Sequence, residues 1–273
     1  MINRIVELLS ISGIDLAAPI SLKNCIMLRR YKLEKAGFFV TDGLTAIVFA
    51  VPYLTEHKEK NISAYAIPRD YHIYFDNLFR ELLGELEGEF PDHKFVGFAD
   101  NSPINERDAA AKAGLGIIGD NGMLITEKYS SYVFLGEIIT DIPYSGEAAE
   151  IKRCESCGAC MSACPKSEIG ECLSALTQKK GELTEKEKNA IKKYGSMWGC
   201  DICQEVCPHT LRAINDRTIY TDIDFFKNDA VTRLTTNTLD EMNDDFFGKR
   251  AYSWRGRSVI GRNACILEDK KPN

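Results

Sequence analysis

Eight of the chain's ten cysteines lie between positions 154 and 207, and no other feature restricts its fold and chemistry as much. The run Cys154-x2-Cys157-x2-Cys160-x3-Cys164-Pro165 sets three thiols two residues apart, a spacing that wraps one iron–sulfur cubane on a tight loop. The fourth thiol, followed by proline, points away and serves a second cluster. Cys200-x2-Cys203-x3-Cys207-Pro208 supplies three more, and Cys172 arrives from a longer connection as the last. The spacing therefore assigns Cys154, Cys157, Cys160 and Cys207 to one [4Fe–4S] cluster. Cys164, Cys172, Cys200 and Cys203 go to the other. Paired CxxC units also build four-cysteine zinc sites, which leaves that alternative open at this point. A disulfide framework is the weaker alternative for a cytoplasmic chain. Cys25 and Cys265 stand alone and are expected to be buried structural thiols.

The 273 residues suffice for one large domain or two modest ones. With 44% hydrophobic and 27% charged residues the composition is that of a soluble globular protein. No run of about 18 apolar residues is present, so no membrane helix is expected. The N-terminal stretch carries acids within its apolar pattern and reads as an amphipathic helix, not a signal peptide, so a cytoplasmic location is expected. A net charge of −6 excludes a general nucleic-acid coat, and any such contact needs a local basic patch. The cysteines divide the chain into residues 1–150, 151–212 and 213–273.

The first segment interleaves helix and strand signals. Ile2, Ile5, Leu8 and Leu9 predict a helix stopped by Gly13, and a second helix is expected from Ser21 to Gly37. The apolar, β-branched run Thr45–Val51 predicts a buried strand. A helix over 70–87 and a strand over 94–99 follow. Ser102-Pro103 predicts the start of a helix through Ala113, with serine as cap and proline at the first helical position. Strands over 123–126 and 132–139 complete the segment. The lysine-rich stretch 179–193 is broken by acids and reads as a solvated helix face.

Three motifs carry possible chemistry. Gly114-Leu-Gly116-Ile-Ile-Gly119 matches a dinucleotide fingerprint by letter, but it follows a helix and leads into a strand, the reverse of what such a site needs. Its glycines are expected to form a tight connection where backbone approaches a large flat ligand. Asp70-Tyr-His72 begins like a corrinoid-ligand motif, but Phe75 stands where the glycine belongs, so His72 is not taken as an axial ligand. Asp100 ends a strand before a turn, a frequent place for a catalytic residue, with a plain capping role as the alternative.

Taken together, the segments 62–72, 100–107, 113–119 and 134–137, ahead of the cysteine runs and of Cys172-Leu-Ser-Ala-Leu-Thr177, resemble the epoxyqueuosine reductase family. The resemblance spans about residues 45–210 and extends through Arg257 and Gly261-Arg-Asn263. It implies an α+β fold. A nitroreductase-like corrinoid-binding domain (1–150) would be followed by a ferredoxin-like double [4Fe–4S] module (151–212), with a C-terminal segment (213–273) packing back on the core. It implies cobalamin fed by two clusters, removal of the epoxide oxygen of epoxyqueuosine in tRNA, and Asp100 as proton donor. It also implies corrinoid contacts from Ser63, Arg69, His72, Asp100, Asn121, Leu124 and Ser174, an anticodon-loop partner, and a low-potential electron donor such as ferredoxin or flavodoxin. A carboxylic acid beside the leaving oxygen lowers its barrier, and burial against an apolar corrin face would keep that acid protonated.

The chain departs from the family pattern at Ile117 and Asp120, where tryptophan and lysine are usual, and at His209-Thr210 after the last Cys-Pro. His209 is expected to be a solvated loop residue. Family members typically run further, so part of the RNA-binding surface is expected outside this sequence. The segment 249–262 offers a compensating patch: Lys249, Arg250, Arg255, Arg257 and Arg262 with Tyr252 and Trp254 and no acid. Helix capping or binding of a corrinoid phosphate is the alternative use, and loss of tRNA binding on replacing Arg255 or Arg257 would separate the two. Two further functional readings remain: a corrinoid and iron–sulfur reductase acting on a small molecule or on another protein's corrinoid, and a ferredoxin-like electron carrier.

Overall fold

A computed structural model describes residues 1–39, 43–57 and 59–269. The chain forms two compact units, each assembled from separated stretches. The first comprises 1–52, 74–157 and 212–219, and the second 53–73, 158–211 and 220–273. These units cut across the boundaries at 150 and 212.

The first unit is built on a four-stranded antiparallel sheet. Its elements are α1 (Ile2–Ile11), β1 (Leu16–Ser21), α2 (Arg30–Lys35), β2 (Thr45–Pro52), α3 (Tyr71–Glu89, all but its first turn), β3 (Phe95–Ala99), α4 (Glu106–Lys112), β4 (Ile117–Ile118), β5 (Leu124–Ile125) and β6 (Val133–Thr140). The strand order is β1-β2-β6-β3, with β4 and β5 forming a separate hairpin. All eight residues of β2 are buried, as its unbroken apolar run requires of a strand covered on both faces. On one face Ala46, Val48 and Ile139 pack with Leu33 of α2 and Ala109 of α4. On the other, Phe49 meets Phe75 and Phe79 of α3 at ring-centroid distances of 6.0 and 6.2 Å. Arg4 ties α1 to α3 through Glu85 and Glu89.

Gly136 lies between those rings. A Cβ there would stand 2.7 Å from atoms of both Phe49 and Phe75. Gly136→Ala is expected to destabilise the protein by about 1–3 kcal/mol through overpacking, read as a lower denaturant midpoint at unchanged slope.

Two boundaries differ from the sequence expectation. The helix expected from Ser21 is a short 3-10 turn, Leu22–Asn24, and regular helix begins only at Arg30; Gly37, at φ +79°, does follow its end. The helix expected from Ser102-Pro103 begins at Glu106, with Asn105 as cap accepting from Asp108 N at 3.2 Å. Ser102 is drawn off because its hydroxyl donates to Glu137 and accepts from Ile104 N.

Beyond β6 the chain is helical: α5 (Ala159–Ala163), α6 (Lys166–Ile169), α7 (Leu173–Thr177), α8 (Glu185–Tyr194), α9 (Ile202–Glu205), α10 (Pro208–Asn215), α11 (Asp224–Lys227), α12 (Thr236–Glu241), α13 (Asp244–Gly248) and α14 (Arg257–Leu267). The core of the second unit gathers Ile62, Ala66 and Ile67 with Trp198, Phe247, Tyr252 and Ile260. Short helices around a cysteine-rich loop carry little apolar surface of their own, so hydrogen bonds to the main chain supplement the packing. Asn263 of α14 is buried and donates to Thr177 O at 2.7 Å and Met197 O at 2.9 Å. The lysines of 179–193 form exposed ion pairs such as Lys188–Glu185 and Lys193–Glu168, as a solvated face should. No helix among the described residues is long and apolar enough to cross a membrane.

Candidate functional site

Cys160, Cys164, Cys172, Cys200, Cys203 and Cys207 belong to the second unit, and Cys154 and Cys157 to the first. Within the second unit neighbouring thiols raise the proton affinity of Cys200 and Cys203. Burial pushes Cys203 up to about 11, with further increments from the neighbouring Cys164, Cys172 and Cys160. Cys200 is also pushed up to about 11, first by burial and then by Asp201, Cys203 and Cys172. Cys203 is thus near Cys164, Cys172 and Cys200, which spacing places in its own cluster, and also near Cys160, which spacing places in the other. As thiolates they would repel, so the donor set suits a cationic iron core that displaces their protons. Among the described residues no three His, Cys, Asp or Glu side chains sit close enough to share one metal ion. A cubane holds its ligands at separate corners and needs a wider spacing.

Asp201, between two of these cysteines, anchors their loop. Its side chain is 1% exposed. It accepts from Lys60 Nζ, from Ser63 Oγ and, at 2.7 Å, from Ala64 N. Lys60 also reaches Glu205 at 2.8 Å. Glu171, Cys172, Ser174, Ala175, Gln178, Lys179, Lys180 and Arg255 line an open cavity of about 710 Å³. The Arg255 guanidinium lies 3.8 Å from the Trp254 ring centroid, and its buried Nε has no hydrogen-bond partner. A hydroxyl, an amide, two lysines and a guanidinium outnumber the one acid, Glu171, around this space, a donor set that fits the amide- and phosphate-bearing rim of a corrinoid.

Cys25 lies in the first unit, where burial pushes its thiol up to about 12, as expected of a structural cysteine.

Asp100 follows β3 and is exposed, with φ +63°, a left-handed turn. Its N–H donates to Glu106 Oε1 at 2.9 Å. Asn121 Oδ1 accepts from Met123 N at 3.1 Å, and Leu124 is buried in β5. Gly116 does approach backbone closely, but that backbone belongs to β5: a Cβ would stand 2.4 Å from Ile125 O. Asp120 accepts from Ser156 Oγ at 3.2 Å, so the acid found where the family has a lysine ties the glycine turn to the first cysteine loop.

The expected corrinoid contacts divide between the units. Asp100, Asn121 and Leu124 are in the first; Ser63, Arg69, His72 and Ser174 are in the second. Ser63 is buried and bonded to Asp201. Arg69 pairs with Asp229 at 3.5 Å and lies over Phe225 at 4.5 Å. His72 Nδ1 contacts Asp70 at 2.8 Å, and Ser174 borders the cavity.

Most of the basic segment turns inward, contrary to its reading as one patch. Arg250 is fully buried and donates to Asp229 O and Ile67 O. Arg257 donates to Leu239 O at 2.7 Å and Met242 O at 2.6 Å, and Arg262 to Lys179 O and Gly181 O. Lys249 pairs with Asp245 at 2.6 Å, and Tyr252 is buried in the core. The end of α12 leaves carbonyls without partners, and Arg257 satisfies those of Leu239 and Met242, while Arg250 and Arg262 hold carbonyls of loops. Arg255, with Trp254 60% exposed, remains on the surface.

Two residues that sequence reasoning leaves without a role are Glu137, fully buried, and Glu106, half-buried beside the Asp100 turn. Their separation of 31 positions hides their proximity, and only an acid inside the apolar strand pattern 133–140 signals it.

A family model described as "Epoxyqueuosine reductase QueG, DUF1730" matches residues 38–101, and one described as "4Fe-4S double cluster binding domain" matches 153–210. The epoxyqueuosine reductase of Gloeobacter violaceus is 33% identical over 237 residues, covering 82% of this chain and 73% of that protein. That of Lactococcus garvieae is 32% identical over 223 residues, covering 78% of this chain and 62% of that protein. The chain therefore spans less than two thirds of the Lactococcus protein's length. A crystal structure of epoxyqueuosine reductase with an epoxyqueuosine-modified tRNA-Tyr stem loop has the same fold, with a TM-score of 0.76 at 23% identity over 97% of this chain and 80% of that one.

Proposed function

The chain belongs to the epoxyqueuosine reductase family, and on that premise we propose that it reduces epoxyqueuosine to queuosine in tRNA, using cobalamin and two [4Fe–4S] clusters. The observation that carries this reading is the cavity bordered by Cys172, a cluster ligand, and by the Ser174 hydroxyl and the Arg255 guanidinium. In this reading the first unit is the nitroreductase-like part and the second carries most of the ferredoxin-like module. The domain limits 1–150, 151–212 and 213–273 describe the order of these functions along the chain. Cys154, Cys157, Cys160 and Cys207 hold the other cluster. The protein works in the cytoplasm with a low-potential donor such as ferredoxin or flavodoxin.

Loss of the epoxide oxygen as water takes two electrons and two protons. Bound cobalamin supplies the low-potential metal centre that the electron chemistry needs. The chain's own residues do the rest. Ser174, Gln178 and Arg255 hold polar groups at the cavity rim, with further corrinoid contacts from Ser63, Arg69, His72, Asn121 and Leu124. In the substrate-bound protein the Asp100 carboxyl takes up a proton and delivers it to the oxygen as the C–O bond breaks, and water supplies the second. Arg255 and Trp254 offer a phosphate contact and a stacking face for an RNA loop.

The inward use of Arg250, Arg257 and Arg262 favours, as a second reading, a reductase of the same cofactors with a smaller substrate. Anaerobic reconstitution with iron, sulfide and cobalamin, a low-potential reductant, and epoxyqueuosine-containing tRNA separates the readings. Queuosine in the digested tRNA is the expected product. A cobalamin spectrum that changes on binding and reduction without queuosine would favour the second reading. No cobalamin binding at all would leave an electron carrier.

A further inference from the structure

Two carboxyl groups near Asp100, one buried and one half-buried, have no part in the reaction. Glu137 sits in β6 between Val48 of β2 and Phe98 of β3, at the centre of the sheet. It is fully buried. One oxygen accepts from Ser102 Oγ, and the other, Oε2, has no hydrogen-bond partner. Glu106 opens α4, and its Oε1 takes the Asp100 N–H. Ser102 N donates to Asp100 O at 2.8 Å, so the segment 100–106 closes on itself above Glu137.

The surroundings disfavour two charges here. Burial pushes Glu106 up to about 8; the Asp100 N–H, Arg29 and Arg107 pull it down, and the Asp100 charge adds to the rise. Burial also pushes Glu137 well above the ordinary carboxylate range, and the Glu106 charge adds to it against Ser102 and Lys32. A buried oxygen without a donor is tolerated far better on a neutral acid than on a carboxylate. Interacting carboxyls of this kind titrate as a pair.

We propose that Glu106 is the positioning residue for Asp100: its carboxyl takes the Asp100 N–H and, together with the hydrogen bond from Ser102 to the buried Glu137, keeps the Asp100 turn in its left-handed shape. The proposal deepens the assignment of Asp100 as proton donor and rests on it. Neutral, Glu106 places no carboxylate against the Asp100 side chain. As pH rises through about 8 Glu106 ionises beside Glu137 and Asp100, and the turn loosens. The sign for stability is the same. The folded-state value lies above that of a free carboxyl, so the stabilisation is complete below the free-carboxyl range and is lost as pH rises through about 8.

The test uses the reconstituted full chain with Glu106→Gln and Glu106→Ala. Infrared difference spectra between neutral and alkaline pH should show a protonated-carboxyl C=O band in the wild type that disappears near pH 8. That band should be absent from Glu106→Gln and retained in Asp100→Asn. Glutamine keeps the acceptor for the Asp100 N–H, so Glu106→Gln should turn over near the wild-type rate at pH 7. Glu106→Ala should fall about tenfold, the worth of one lost hydrogen bond. A wild-type spectrum without that band, or equal losses in both variants, overturns the proposal. A wild type that shows the band but makes no queuosine refutes the substrate assignment and leaves the role of Glu106 standing.

Discussion

Asp100→Asn is expected to lower epoxyqueuosine turnover by about 10²–10⁴-fold, the range supplied by a positioned acid. The substitution isolates the proton. Asp100 occupies a left-handed conformation at φ +63°, and asparagine tolerates that region as well as aspartate does. Its N–H can still donate to Glu106, so the turn survives. Iron content, cobalamin binding and Tm should match the wild type, while the single-turnover rate collapses. Unchanged turnover would remove Asp100 from the mechanism. Asp100→Ala is the poorer probe, because alanine at positive φ adds backbone strain.

The second large effect concerns stability. Asp201→Ala removes the acceptor shared by Lys60, Ser63 and Ala64 N at a position 1% exposed. The Ala64 N–H is left buried without a partner, and Lys60 keeps only Glu205. The expected cost is about 3 kcal/mol, near the lower end for breaking a buried pair, because Lys60 retains some solvent contact. Cys200 and Cys203 flank Asp201, so iron content should fall toward half while the signal of the other cluster persists. Denaturant unfolding and iron analysis of the reconstituted protein read the two effects separately. Full iron content with unchanged stability would show that the loop holds its shape without this anchor.

The sequence disclosed those parts of the molecule whose cause is local. The apolar run of β2 and the cysteine spacings are legible because each depends on neighbours in the chain. β1 carries Pro19, which blurs a strand pattern; as an edge strand it can hold a residue without an N–H. The start of α4 was placed too early because the Ser102 hydroxyl is bound to Glu137, 35 positions away. The basic segment misled for the same reason. Nothing in the letters 249–262 tells that Arg257 will reach the carbonyls of Leu239 and Met242. The place of Glu106 behind Asp100 is not legible in spacing, because it depends on how the start of α4 folds back over the end of β3.

The interleaving of the two compact units bears on how the protein is made. The chain passes from one unit to the other five times, at 52/53, 73/74, 157/158, 211/212 and 219/220. During synthesis Ile62, Ala66 and Ile67 emerge early, while their packing partners Trp198, Tyr252 and Ile260 are still to be translated. For most of elongation this apolar segment has no core to enter, and nascent chains in that condition are prone to aggregate or to engage chaperones. Expression yield would then depend on how long the cell shields one short stretch of chain.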